Sequence, residues 1–288
     1  MTVLRVLFQQ PMTSDARVQT RFLPGTIVCC LLLAAAYVAL IGTDWGHQLD
    51  DSAYVGREVF SSKLNELAAV LLTKVGLKTI TGAAGILFLI SVLRRSVLVG
   101  LGTLAGFSGA LVGAEILKEI LPWHALVPED SALGEGMQFG TFPSGHVTIA
   151  TTFGLGLLLV LPARWRSWLA PMAGALSSLF AASVLFAGWH RASDALGALA
   201  WSGVCMNLAA AIVVRLKGRP AISKPRPGLS RSLIVGMVVL VAFFLAAAAA
   251  PQSSVRGLPF LLVSGVIIAS SFTLTAWYSR QLEAVDFR

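Results

Sequence analysis

Charge is scarce in this chain. Asp, Glu, Lys and Arg make up 12% of its 288 residues, against roughly 25% in an ordinary soluble domain. With 56% apolar residues and a mean hydropathy of +0.78, the chain cannot cover a water-facing surface. A soluble enzyme is excluded, and lipid is the main solvent. Cysteine is scarce as well. Cys29, Cys30 and Cys205 all lie inside apolar runs, which excludes a disulfide framework and leaves packing as their role. No group of Cys, His, Asp and Glu has metal-ligand spacing, so neither a metal nor another cofactor is expected. Internal repeats are missing. So are charges near the centres of the apolar runs, which argues against a transporter.

What the chain has is long apolar runs. A helix crossing the hydrocarbon core needs about 20 such residues. Eight spans are expected, near 25–43, 77–93, 96–117, 146–163, 168–188, 195–214, 233–250 and 258–278. The first exceeds the length of a signal-peptide core and follows a 24-residue leader, so it reads as an anchor. With the N-terminus inside, 15 of the 22 Lys and Arg fall on the cytoplasmic side, as the positive-inside rule requires. The expectation is a multi-pass protein of the plasma (bacterial inner) membrane with both termini cytoplasmic. The net charge of +8 sits in short connections. It reads as topogenic and as attractive to anionic membrane lipids, with no nucleic acid implied.

These boundaries divide the chain into a leader (1–24), a six-span membrane unit (25–216), a basic Pro-rich cytoplasmic loop (217–231) and a two-span C-terminal hairpin (232–288). The first external connection is 44–76. From Glu58 to Lys74 its apolar residues approach helical spacing, as in an amphipathic helix lying on the membrane.

This topology puts all four histidines at the outer edge. Pro143-Ser144-Gly145-His146 sits at the outward N-terminus of the fourth span. A helix N-terminus offers unpaired N–H groups and a partial positive charge, which favour phosphate. Ser144 could cap the helix or bind phosphate, Gly145 lets a ligand reach the backbone, and His146 can exchange a proton. An ordinary capped helix with a surface histidine would look the same. His190 and Asp194 precede the sixth span at i, i+4, hence on one helix face. A carboxylate accepting from one imidazole nitrogen fixes the tautomer and leaves the other nitrogen to attack. A merely structural His–Asp pair has the same spacing. Lys118 closes the third span, where a snorkelling lysine is also common. One membrane face carrying all three is harder to explain by three separate structural roles.

Lys118, then Pro143-Ser144-Gly145-His146, then His190-x-x-x-Asp194 resembles the three-part signature of the type-2 phosphatidic-acid phosphatase superfamily, over about residues 77–214. The resemblance implies an all-α integral membrane fold, a six-helix phosphatase core to which two C-terminal transmembrane helices are added here. It implies metal-independent phosphoryl transfer with His190 as nucleophile forming a phosphohistidine, Asp194 orienting it and His146 protonating the leaving oxygen. Lys118, Ser144 and Gly145 would hold the phosphate.

Two departures stand out. The family's first motif usually ends in Arg-Pro six or seven residues after the lysine, where this chain has Leu121-Pro122-Trp123-His124-Ala125-Leu126. Its third motif usually carries an arginine six residues before the histidine, where this chain has Val184. Two planar bidentate donors are missing, which a lysine cannot imitate. Arg191 and His124 are the candidates to restore phosphate-binding charge. The expected substrate is a phosphorylated lipid: phosphatidic acid, phosphatidylglycerol phosphate or polyprenyl diphosphate. The alternatives are a phosphotransferase to a lipid or glycan acceptor, served by the same residues, and a non-catalytic phospholipid-binding scaffold.

Overall fold

The computed structural model describes residues 22–60, 62–122, 140–217, 219–220, 230–249, 255–283 and 285–287. Within them the chain is a helical, multi-pass membrane protein. In chain order the helices are α1 (Phe22–Leu40), α2 (Asp44–Gly56), α3 (Ser62–Thr73), α4 (Leu77–Leu93), α5 (Val97–Ile120), α6 (Gly145–Val160), α7 (Ala163–Phe186), α8 (Ala192–Lys217), α9 (Arg231–Ala249) and α10 (Leu258–Glu283).

Each of the eight expected spans falls on a helix, but not every one is a full-length crossing. Among the described residues α1, α5, α7, α8 and α10 are long and apolar enough to cross. At 1.5 Å per residue, the 19 residues of α1 reach about 28 Å. A sixth crossing exists if α3 and α4 count as one span bent by 65°. The expected surface helix near 58–74 is thus α3, joined to α4 at a sharp bend, with Ala68 and Leu72 buried. The 16 residues of α6 are short for a span. That helix is largely enclosed by its neighbours, so lipid thickness does not set its length.

Close helix approach aligns the site. Where α5 crosses α8, Gly102, Gly106 and Gly113 face Val213, Ala209 and Trp201. A Cβ on any of the three would come within 2.2–2.6 Å of them. Small residues at such a crossing let backbones approach. The Trp201 indole locks the crossing by donating to Ala110 O at 2.8 Å. The two helices are antiparallel, so the end of α5 lies beside the start of α8. On the far side α10 packs along α7 and α8, and its Tyr278 hydroxyl donates to Met206 O at 3.2 Å. The two-residue strands β1 (Arg219–Pro220) and β2 (Val285–Asp286) pair antiparallel at the end of the bundle opposite Lys118 and the start of α8.

Two arginines expected as loop charges at that end are built into the fold. Arg166 is fully buried. It donates through Nε to Leu158 O at 3.0 Å, and through Nη1 to Val285 O at 3.1 Å and to Leu282 O. Arg94 donates to Val160 O. Helix C-termini leave carbonyls without intrahelical donors, and cations there also oppose the negative end of the helix dipole. At the opposite end Leu72, Val147, Ala181, Val184, Ala192, Ala195 and Phe260 form an apolar cluster under the expected site.

Candidate active site

The last turn of α5 holds Lys118, whose ammonium pairs with Glu115 Oε1 at 2.7 Å. The same two groups lie over Gly145. A Cβ there would stand 3.5 Å from Glu115 Oε1 and 3.6 Å from Lys118 Nζ, so the first motif meets the second at ordinary contact distance.

Ser144 stands at the N-cap of α6. Its backbone N–H donates to Asp194 O at 3.0 Å, which ties the second motif to the third. The hydroxyl behaves unlike a capping serine. It makes no cap bond, is completely buried and has no hydrogen-bond partner among the described residues. Ordinary helix capping therefore does not account for it. An unsatisfied buried hydroxyl is costly unless a ligand completes it. His146, one residue into α6, packs edge-on against Trp189 with ring centroids 5.5 Å apart. It bonds the Leu72 backbone and lies within electrostatic reach of His190 and Lys118.

A tight turn joins α7 to α8. Val184 O accepts from Trp189 N at 3.0 Å and His190 N at 3.3 Å, and Gly188 adopts φ +68°, which favours glycine. His190 Nδ1 lies 3.0 Å from Asp194 Oδ2, and the same oxygen accepts the Arg191 backbone N–H at 3.1 Å. Asp194 is buried and reaches back to the residue before the helix, the return half of a capping box. One carboxylate thus fixes both the start of α8 and the imidazole. With Nδ1 as donor, Nε2 keeps its lone pair.

Sequence reasoning missed the contribution of α2. The buried Asp50 accepts from Ser193 N at 3.2 Å and from the Ser193 hydroxyl. Burial pushes its carboxyl up to about 6. The Asp194 charge adds to the rise, while the Ser193 bonds and Arg191 oppose it. Asp51 pairs with Arg191 Nη2 at 2.7 Å and with His47 Nε2 at 3.3 Å. Tyr54 donates its hydroxyl to Gly188 O at 3.0 Å. The i, i+4 spacing of His47 and Asp51 was visible in the sequence, but no pattern there says on which turn α2 docks.

Lys118, Ser144, Gly145, His146, His190 and Asp194 therefore meet at one end of the bundle. Arg191 belongs to the same corner, with its guanidinium on Asp51. His124 lies outside the described residues. A cavity of about 700 Å³ lies elsewhere: an apolar cleft between α1, α8 and α10 lined by Leu32, Leu196, Leu199 and Trp277. At 100° per residue, Leu196 and Leu199 sit roughly 140–200° around α8 from Asp194, on the face away from the site.

Residues 96–217 match the PAP2 superfamily. No curated protein matches the chain significantly. A solved structure of a transmembrane PAP2-type phosphatidylglycerolphosphate phosphatase from Bacillus subtilis is similar at 20% identity, covering 68% of this chain and 94% of that one, with a TM-score of 0.49. The family match spans α5 to α8, the helices that carry Lys118, Ser144, His146, His190 and Asp194.

Proposed function

We propose that this site hydrolyses a phosphorylated lipid at the extracytoplasmic membrane face through a phosphohistidine. His190 Nε2 attacks phosphorus. The N–P bond forms as the bond to the leaving oxygen breaks, and His146 gives that oxygen its proton. Water then attacks the phosphohistidine, surrendering a proton to His146 and restoring free His190. Asp194 holds the Nδ1–H tautomer and stabilises the imidazolium-like charge. Lys118, the Ser144 hydroxyl and the backbone N–H groups opening α6 receive the phosphoryl oxygens, a role suited to a helix N-terminus.

The observation that carries this reading is the buried Ser144 hydroxyl, without a partner among the described residues while its own N–H is held by Asp194. An unsatisfied donor beside a histidine with a fixed tautomer suits a phosphoryl group better than it suits packing. A lipid substrate is favoured because the site opens at the end of a membrane bundle. In this reading 25–216 is the phosphatase-like domain, with the leader, the basic loop and the last two helices appended.

The test is phosphate release by the purified protein in detergent, with EDTA present, from phosphatidic acid, phosphatidylglycerol phosphate and polyprenyl diphosphate. Release from at least one lipid is expected. It should be lost in His190→Ala at unchanged thermal stability, since losing one member of a catalytic unit removes nearly all turnover. Turnover above a tenth of wild type in that variant rejects His190 as nucleophile. Loss of activity with EDTA, restored by a divalent ion, rejects the metal-independent step.

A further inference from the structure

The site is short of positive charge. A phosphate monoester carries close to two negative charges at neutral pH. Of the cations already placed, Lys118 is paired with Glu115 and Arg191 with Asp51, and the two carboxylates Asp50 and Asp194 flank the α8 start. A further guanidinium stands at the same turn. Arg57, in the 3-10 turn after α2, lies against Gly188, two residues before His190. A Cβ on Gly188 would fall 2.7 Å from both its Nε and Nη2.

Arg57 is held in place by one edge. Its Nη1 donates to Tyr54 O at 2.7 Å, and its Cζ lies 3.9 Å above the Tyr54 ring, whose hydroxyl is bonded to Gly188 O. Tyr54 thus clamps the guanidinium and the turn together. Among the described residues Arg57 makes no ion pair. Its side chain is half-buried, and Nε and Nη2, the pair that makes bidentate contacts, are not used by any carboxylate. An arginine packed on a ring, fixed at one nitrogen and lacking a counter-ion is preorganised for an anion.

We propose that Arg57 is a phosphate-binding residue of this site, presenting Nε and Nη2 to the phosphoryl oxygens at the Gly188–His190 turn. Its guanidinium comes from outside the matched segment 96–217. Gly188 is required twice: φ +68° disfavours any side chain, and a side chain would occupy the space of the guanidinium. The assignment rests on the phosphatase reading above and adds a residue to that site.

The test compares wild type with R57A, R57K and G188A in two assays: phosphate release from phosphatidic acid, and stabilisation by orthovanadate followed as a shift in Tm. Arg57 as a phosphate ligand predicts that R57A lowers both kcat/KM and vanadate affinity by about tenfold to a hundredfold, the scale of one lost hydrogen bond to a charged group. R57K should recover only a minor part, since an ammonium lacks the fork. G188A, which displaces the guanidinium while leaving Arg57 in the sequence, should resemble R57A. If R57A does not fold, R57K and R57Q carry the same comparison. R57A within threefold of wild type in both assays overturns the proposal. If wild type releases no phosphate from any lipid, the phosphatase reading fails and vanadate alone decides Arg57. Stabilisation of wild type that disappears in R57A upholds the anion site. Equal stabilisation of both proteins, or none of either, rejects it.

Discussion

Asp50 accepts two hydrogen bonds from Ser193, one from the backbone N–H and one from the hydroxyl, and so fastens α2 to the residue immediately before Asp194. Burial raises this carboxyl from 3.8 to about 6. An Asp raised on folding binds its proton more tightly when folded. Its contribution to stability is present in full below about pH 3.8 and is lost as pH rises through about 6. Asn can still accept from the Ser193 N–H and can donate its amide to the Ser193 hydroxyl, but it cannot ionise. Between about pH 4 and pH 7 the Tm of Asp50→Asn should therefore gain on wild type, by an amount on the order of 3 kcal/mol in stability. A Tm difference that stays constant across this range contradicts the raised carboxyl.

Ser144 makes the opposite kind of prediction. Among the described residues its hydroxyl has no partner to lose, so Ser144→Ala removes a buried unsatisfied group and should leave Tm unchanged or higher. Activity should nevertheless fall about tenfold to a hundredfold, or roughly 1.4–2.8 kcal/mol in the transition state. Stability and turnover moving in opposite directions mark a group built for a ligand. A fall in Tm with full activity would instead make Ser144 a structural residue.

The contrast between Ser144 and Asp50 shows what the sequence can and cannot convey. Lys118, Ser144, His146, His190 and Asp194 were legible because each stands where a long apolar run begins or ends, and alternate run ends share a membrane face. The i, i+4 step from His190 to Asp194 fixed their mutual geometry before any tertiary contact was known. Asp50 and Ser193 lie 143 positions apart in the chain, and neither carries a periodic cue that names the other. The same holds for Arg57 on Gly188. Arg166 misled in the other direction: by composition it is a loop charge, yet the carbonyls of Leu158, Leu282 and Val285 draw it into the interior. Span count suffered for a related reason. α6 is enclosed by its neighbours, and the bend of 65° between α3 and α4 breaks what reads as a simple loop and helix.

Orientation is open to a direct measurement. The basic loop 217–231 is expected inside and 118–142 outside, because Arg and Lys cluster in the former. With the three native cysteines replaced, a cysteine at Ser223 should resist an impermeant thiol reagent in intact cells, while one at Ser131 should react. The reverse pattern would move the site to the cytoplasmic face and change which leaflet supplies its substrate.

Arg191 can be separated into strut and ligand. Its Nη2 lies 2.7 Å from Asp51 Oδ1, and its side chain is nearly buried while Asp51 is 43% exposed. Exposed ion pairs contribute about 0–1 kcal/mol, so a purely structural pair should be worth little to stability. If Arg191 serves only to hold α2 against the start of α8, Arg191→Ala and Asp51→Ala should reduce turnover by similar small factors. The double variant should then be no worse than either, because both remove the same contact. If the guanidinium also reaches the phosphoryl group, Arg191→Ala should cost one to two orders of magnitude, roughly 1.4–2.8 kcal/mol. It should cost as much in an Asp51→Ala background, where no carboxylate competes for it. Asp51→Ala alone would then preserve or raise phosphate affinity. The decisive quantity is the effect of Arg191→Ala measured with Asp51 already removed. A loss under twofold there assigns Arg191 to positioning and leaves Lys118, Ser144, the α6 amides and Arg57 to hold the phosphate. A loss above tenfold makes Arg191 a ligand whose charge Asp51 moderates in the empty site.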